Sequence, residues 1–139
     1  MVVTGIFLKL NLLRLVTLSG TKNEHEIIEV KFHKLQFPKN DNFEQIDMLK
    51  KTIVAFIKKN NVEKIAINGR ARSGQRQGGA DSFKIHGFLL AIIEYPIDIF
   101  FSATIRSTNT RENELKTKRP LTQDLGKAFD LAFELLPNA

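Results

Sequence analysis

The chain has 139 residues, 42% of them hydrophobic and 26% charged, with a formal net charge of +6 and no cysteine. That length suits a single domain, 1–139, with one core, and the composition is neither that of a disordered chain nor that of a membrane-spanning one. Without cysteine there is no disulfide framework and no thiolate metal site, so an oxidising compartment is not required and a cytoplasmic location is expected.

Val2 to Leu8 and Leu12 to Leu18 are rich in β-branched and long apolar residues and are expected to form two paired strands. Lys9, Asn11 and Arg14 break this apolar tract, so it suits neither a transmembrane helix nor the apolar stretch of a cleaved signal. Asn11 marks the first turn weakly, whereas Ser19-Gly20 and the polar run Thr21 to Glu24 mark the second well. From Glu26 to Phe37, Ile28, Val30, Phe32 and Leu35 alternate loosely with charges, which predicts a third strand. After the break at Pro38 to Asn42, Phe43, Ile46, Leu49, Ile53, Phe56 and Ile57 recur at three- and four-residue spacing, a helix face that ends at Asn60-Asn61.

Lys64 to Asn68 is a short Ile-Ala-Ile strand stopped by Asn68-Gly69 and followed by a glycine-rich basic loop. Phe83, Ile85, Phe88, Leu89, Ile92 and Ile93 predict a second helix, capped by Asp81 or Ser82 and closed by Pro96. Ile97 to Ser102 is almost uninterrupted in its apolar character, as expected of a strand covered on both faces. A long polar connection is expected from Ala103 to Pro120. Thr122 or Asp124 then opens a last helix, with Leu125, Ala128, Phe129, Ala132, Leu135 and Leu136 in period.

The positive charge is gathered rather than spread. Arg70, Arg72 and Arg76 stand together without an acid, and Arg106, Arg111, Lys116, Lys118 and Arg119 stand against only Glu112 and Glu114; these two segments carry the whole excess of +6. Such clustering suits a phosphate-rich partner, although solvated loops would have the same composition. In an open α/β sheet, ligand sites lie off the carboxyl ends of strands, and both basic segments leave from such ends. Gly69 to Gly74 has the spacing of a phosphate loop, but Gln75-Arg76 stands where lysine and a hydroxyl residue are required, so hydrolysis of that type is not expected. Backbone N–H groups near Gly78-Gly79, with Arg70, Arg72, Arg76 and Lys84, can still grip an anion. His25, His33 and His86 lack metal-ligand spacing, and the eleven phenylalanines fall mostly at core-facing periods. Neither basic segment contains an aromatic residue, so phosphate contact rather than base stacking is the expected mode.

The order β-β-β-α-β-α-β-α, with a mixed five-stranded sheet flanked by helices, is the RNase H-like order. The strands Val3-Thr4-Gly5-Ile6 and Lys64-Ile65-Ala66-Ile67, the stretch Gly78-Gly79-Ala80-Asp81-Ser82-Phe83-Lys84-Ile85 and the tract Ile99 to Arg106 resemble an uncharacterised bacterial family, a domain of unknown function with a RuvC-like RNase H fold. The resemblance spans nearly the whole chain, and Gly-Gly-Ala-Asp-Ser-Phe-Lys is its most specific element.

RuvC-type resolvases are metal-dependent nucleases, and the resemblance implies carboxylates from separate strands and a helix converging on divalent metals. One acid would follow the glycine and apolar residue of the first strand, where this chain has Phe7 after Gly5-Ile6. A second would end the fourth strand, where Asn68 and Gly69 stand. Only the third position, on the last helix, is acidic, at Asp130, with Glu134 one turn beyond and Asp81 a weak substitute. Asp130 also suits a solvated charge facing Lys127 or Glu134, and Asp81 suits a helix cap.

The expectation is thus a catalytically degenerate RNase H-like protein with no cofactor and no metal site. It would hold nucleic acid phosphates through Arg70, Arg72, Arg76, Lys84, Arg106, Arg111, Lys118 and Arg119. The alternatives are a protein-interaction module or homodimer without a nucleic-acid role, and a nuclease with displaced carboxylates at Asp81, Asp130 and Glu134.

Overall fold

The computed structural model describes residues 1–29, 33–38, 42–69 and 80–138, with backbone alone for 80–83. Strands β1 (Val2–Lys9) and β2 (Leu12–Gly20) pair antiparallel, with Thr4 opposite Thr17 and Leu8 opposite Leu13. The expected third strand is two short ones, β3 (His25–Ile27) and β4 (Lys34–Gln36), which pair with opposite ends of β2. The pairing explains the division. Ile27 stands opposite Leu18 and Leu35 opposite Leu13, so this segment spends more residues than β2 between the two points and one unbroken ladder cannot hold both.

Helix α1 (Phe43–Lys59) opens on Asn42, whose side chain accepts a 3.0 Å hydrogen bond from the Gln45 N–H. Strand β5 (Lys64–Asn68) then runs parallel to β1, and after helix α2 (Ala80–Ile92) strand β6 (Ile97–Phe100) runs parallel to β5. Asp81 and Ser82, expected as caps, lie inside the first turn of α2. The sheet order is β3-β2-β1-β5-β6, with β4 also on β2, so the sheet is six-stranded and mixed. Strand β6 lies at an edge of this order and Ile99 is 38% exposed, which corrects the expectation of a strand covered on both faces.

The long polar connection is also corrected. Its first part is helix α3 (Ser102–Glu112), continued by a 3-10 turn at Asn113–Leu115, before helix α4 (Gln123–Leu135) opens on Thr122. Only Thr108 of α3 is fully buried, and the segment carries no apolar period that would announce a helix. Among the described residues, no helix is long and apolar enough to cross a membrane.

The alternation of side chains along the strands builds two cores. Ile6, Leu8, Leu13, Leu15, Ile65 and Ile67 pack against α1 and α2 on one face. Val3, Val16, Leu18 and Ala66 pack against Phe129, Ala132 and Phe133 of α4 on the other. Helix α4 approaches unusually closely at Gly5. A Cβ there would stand 2.6 Å from the Ala132 backbone nitrogen and closer still to the Ala128 carbonyl oxygen, and neither backbone atom can swing aside.

Gly5→Ala is therefore expected to lower the unfolding free energy by about 3 kcal/mol, read from urea titration. Gly87, in the interior of α2, is the contrasting case, because a Cβ there meets nothing within 4 Å. Gly87→Ala should raise the urea midpoint, by about 0.5–1 kcal/mol of stability, since alanine restricts the unfolded chain and favours the helix.

Candidate functional site

The carboxyl ends of β1, β5 and β6 meet α4 at one rim of the sheet, where Asp124 pairs with Lys9 at the end of β1 and Asp130 is buried. Asp130 has a side chain 5% exposed and is held by two cations. Arg119 grips it with both edges of the guanidinium fork, Nε to Oδ1 at 2.9 Å and Nη2 to Oδ2 at 3.0 Å. The Lys116 ammonium, itself 1% exposed, donates to Oδ1 at 2.9 Å and to the Asn109 side-chain oxygen at 2.6 Å. It also stands 4.9 Å from the centre of the Phe133 ring. The hydrogen bonds to Asp130 hold the Arg119 guanidinium above its ordinary pKa, against the opposing effect of partial burial.

Local sequence explains how Arg119 reaches the carboxylate. Gly126 lies one turn before Asp130 on α4, and a Cβ on it would fall 2.7 Å from the centre of the Arg119 guanidinium. Glycine costs an α-helix about 1 kcal/mol relative to alanine, and here its bare backbone makes the space that the guanidinium occupies.

Asp130 is thus not a solvated charge. Lys127, expected opposite it, instead places its ammonium 5.1 Å from the centre of the Phe7 ring, and Glu134 makes no hydrogen bond with it. At the end of β5, the Asn68 side chain pairs with the backbone of Leu8 on β1. Its oxygen accepts from the Leu8 N–H at 2.8 Å and its NH₂ donates to the Leu8 carbonyl at 3.0 Å. A carboxylate could not make both bonds, because it has no hydrogen to donate.

These residues do not fit a pair of divalent metals. Phe7 supplies no oxygen, Asn68 is committed to the sheet, and Asp130 sits between two cations that would repel an incoming metal ion. Among the described residues, no group of three or more histidine or acidic side chains could hold a metal.

The same rim contains a pocket of about 450 Å³. Phe7, Phe100, Phe101, Ile105 and Leu131 form its apolar side, and Arg106, Arg119 and Lys127 bring positive charge to it. The Phe101 ring folds over Gly69, where a Cβ would come within 2.5 Å of it, and it remains 50% exposed at the mouth. Helix α3 begins at this wall with no acid in its first turn, so the positive end of its dipole adds to the cationic character.

The structure brings together some of the sequence-predicted residues and separates others. Arg106 and Arg119 line the pocket. Arg111 is exposed further along α3 and donates to the Ser107 hydroxyl at 2.7 Å. Lys118 pairs with Glu26 on β3, and that hydrogen bond and charge hold the exposed Glu26 carboxyl below its ordinary pKa. Lys84 lies on α2, against the opposite face of the sheet. Arg70, Arg72 and Arg76 lie outside the described residues, as does the side chain of Asp81. Phe7, Phe101, Asn109, Lys116 and Lys127 were not singled out as binding residues. No local pattern signals them; the glycine at 126, a helix-weakening residue with no turn to make, signals only the place of Arg119.

Replacing Asp130 separates the roles of its partners. Asp130→Ala strands the buried Lys116 ammonium and is expected to lower the unfolding free energy by about 3 kcal/mol. Arg119→Ala, which removes a side chain 34% exposed and leaves Lys116 in place, should cost about 1 kcal/mol by the same urea titration. Equal losses would show that Lys116 is not the main partner.

Comparisons with known proteins agree with this architecture. The structure superposes on RuvC from Thermus thermophilus with a TM-score of 0.73 at 13% identity, covering 96% of this chain and 92% of that one. The same resolvase in complex with its Holliday junction substrate gives 0.69 at 12% identity, covering 96% and 90%. The fowlpox virus Holliday junction resolvase gives 0.54 at 12% identity, covering 96% of each chain. At such identities the likeness is one of fold, and it establishes the mixed sheet flanked by helices as RuvC-like. No curated protein sequence matches. The family described as "Protein of unknown function (DUF3010)" matches residues 1–135, and this chain, with its RuvC-like fold, belongs to that family.

Proposed function

We propose that this protein is a catalytically degenerate member of the RNase H-like fold that binds nucleic acid phosphates and does not cleave them. The observation that carries the reading is the double engagement of Asp130 by Lys116 and Arg119. Where a metal-dependent nuclease needs converging carboxylates, this rim has Phe7, the committed amide of Asn68 and an already neutralised acid. What is left unbalanced there is positive charge, from Arg106 and Lys127 in the pocket. Exposed Arg111, further along α3, adds to it, and the arginines at 70, 72 and 76 follow β5 in the sequence. Thermus RuvC and the fowlpox resolvase are known in complexes with Holliday junction DNA, which supports nucleic acid as the phosphate-bearing partner.

Phosphate contacts release counterions, so affinity should fall steeply as salt rises. Binding of single-stranded, duplex and branched nucleic acids is expected to show this across a salt series. Arg106→Ala and Arg111→Ala should each reduce the slope of log affinity against log salt by about one. No product should form on a denaturing gel with Mg²⁺ present. Mg²⁺-dependent cleavage lost in Asp130→Asn would overturn the degenerate reading, and absence of binding at low salt would turn the search to a protein partner or a homodimer.

A further inference from the structure

We infer that the rim pocket is a nucleotide site that takes one aromatic base against its phenylalanine side and the attached phosphate against Arg106 and Lys127. The inference rests on the nucleic-acid reading for the source of the ligand and extends it from the strand backbone to one unstacked unit of that strand.

The volume of about 450 Å³ lies within the range of small-molecule sites, ~300–1,000 Å³. Its two-sided chemistry narrows the ligand. Inorganic phosphate alone would leave Phe7, Phe100 and Phe101 facing water, and an apolar ligand alone would leave the cations unanswered. Among the described residues Arg106 has no acidic partner, and Lys127 has the Phe7 ring rather than a carboxylate beneath it. The one carboxylate in the wall, Asp130, is already engaged by Lys116 and Arg119 and cannot neutralise the other two cations. Phe101 is 50% exposed at the mouth, so part of its ring is open to a ligand. A nucleobase stacks on such a ring regardless of its identity, and a phosphate accepts charge-assisted hydrogen bonds from a guanidinium and an ammonium.

A base can enter such a pocket only when it leaves its own stack, so single strands and branch points should bind better than blunt duplex. Strands with unpaired bases and free nucleotides carry the same chemistry, and the experiment separates these two sources.

The test uses the full chain. Calorimetric titration with adenosine monophosphate is compared with adenosine and with inorganic phosphate, and a labelled single-stranded oligonucleotide is followed by fluorescence anisotropy in parallel. Phe101→Ala and Arg106→Ala replace exposed side chains, and Lys59→Ala on α1 is the control; circular dichroism confirms that each variant is folded. The nucleotide should bind more tightly than either of its parts and should displace the oligonucleotide. Both pocket variants, and not the control, should weaken nucleotide binding about tenfold. If the oligonucleotide binds but neither pocket variant alters it and the nucleotide does not compete, the pocket inference fails while the nucleic-acid reading stands. Nucleotide binding that is sensitive to both variants, without oligonucleotide binding, would keep the pocket as a free-nucleotide site and overturn the nucleic-acid reading. Binding of neither ligand overturns both.

Discussion

The close seating of α4 on β1 is the constraint from which the site follows. Gly5 has no side chain, and Ala128 and Ala132 present small ones, so the helix backbone lies directly on the strand. A bulkier residue at any of these positions would lift the helix off the sheet and carry Asp130 and Leu131 away from the ends of β1 and β5. The same economy of volume recurs at Gly126, where the guanidinium of Arg119 fills the space of a missing side chain. Two glycines in different elements therefore position one helix and the ion cluster on it.

That cluster changes the chemistry of the rim. A buried carboxylate is tolerated only when its charge is balanced and its oxygens accept hydrogen bonds, and Lys116 and Arg119 meet both needs for Asp130. So held, the acid is the counter-ion of Lys116 and Arg119. Asn68 has undergone an equivalent commitment, since its amide completes the pairing of β5 with β1 at Leu8. On this RuvC-like fold the rim presents a pocket with phenylalanine on one side and Arg106, Arg119 and Lys127 on the other.

Much of this fold was legible in the chain because strands and amphipathic helices leave periodic traces. Leu49, Ile53, Phe56 and Ile57 announce the buried face of α1, and Ala128, Phe129, Ala132 and Leu135 announce α4. Helix α3 left no such trace. It is polar almost throughout and buries only Thr108, so no amphipathic pattern announces it. The third strand failed for the opposite reason. Its alternation looked continuous, and the shift in register between Ile27 opposite Leu18 and Leu35 opposite Leu13 exists only in the pairing with β2.

By itself, the sequence determined the element order around α1, β5, α2 and α4, the clustering of positive charge, and the absence of acids at Phe7 and Asn68. These are properties of composition and of short-range period. Only the tertiary structure decided that Asp130 is buried between Lys116 and Arg119, that Lys127 turns to Phe7, and that Phe101 and Arg106 share a pocket with them. Each of those pairings depends on which elements the sheet order brings side by side. Asn68 meets Leu8 across 60 residues of chain because β5 lies next to β1, and no local pattern in either segment records that neighbour.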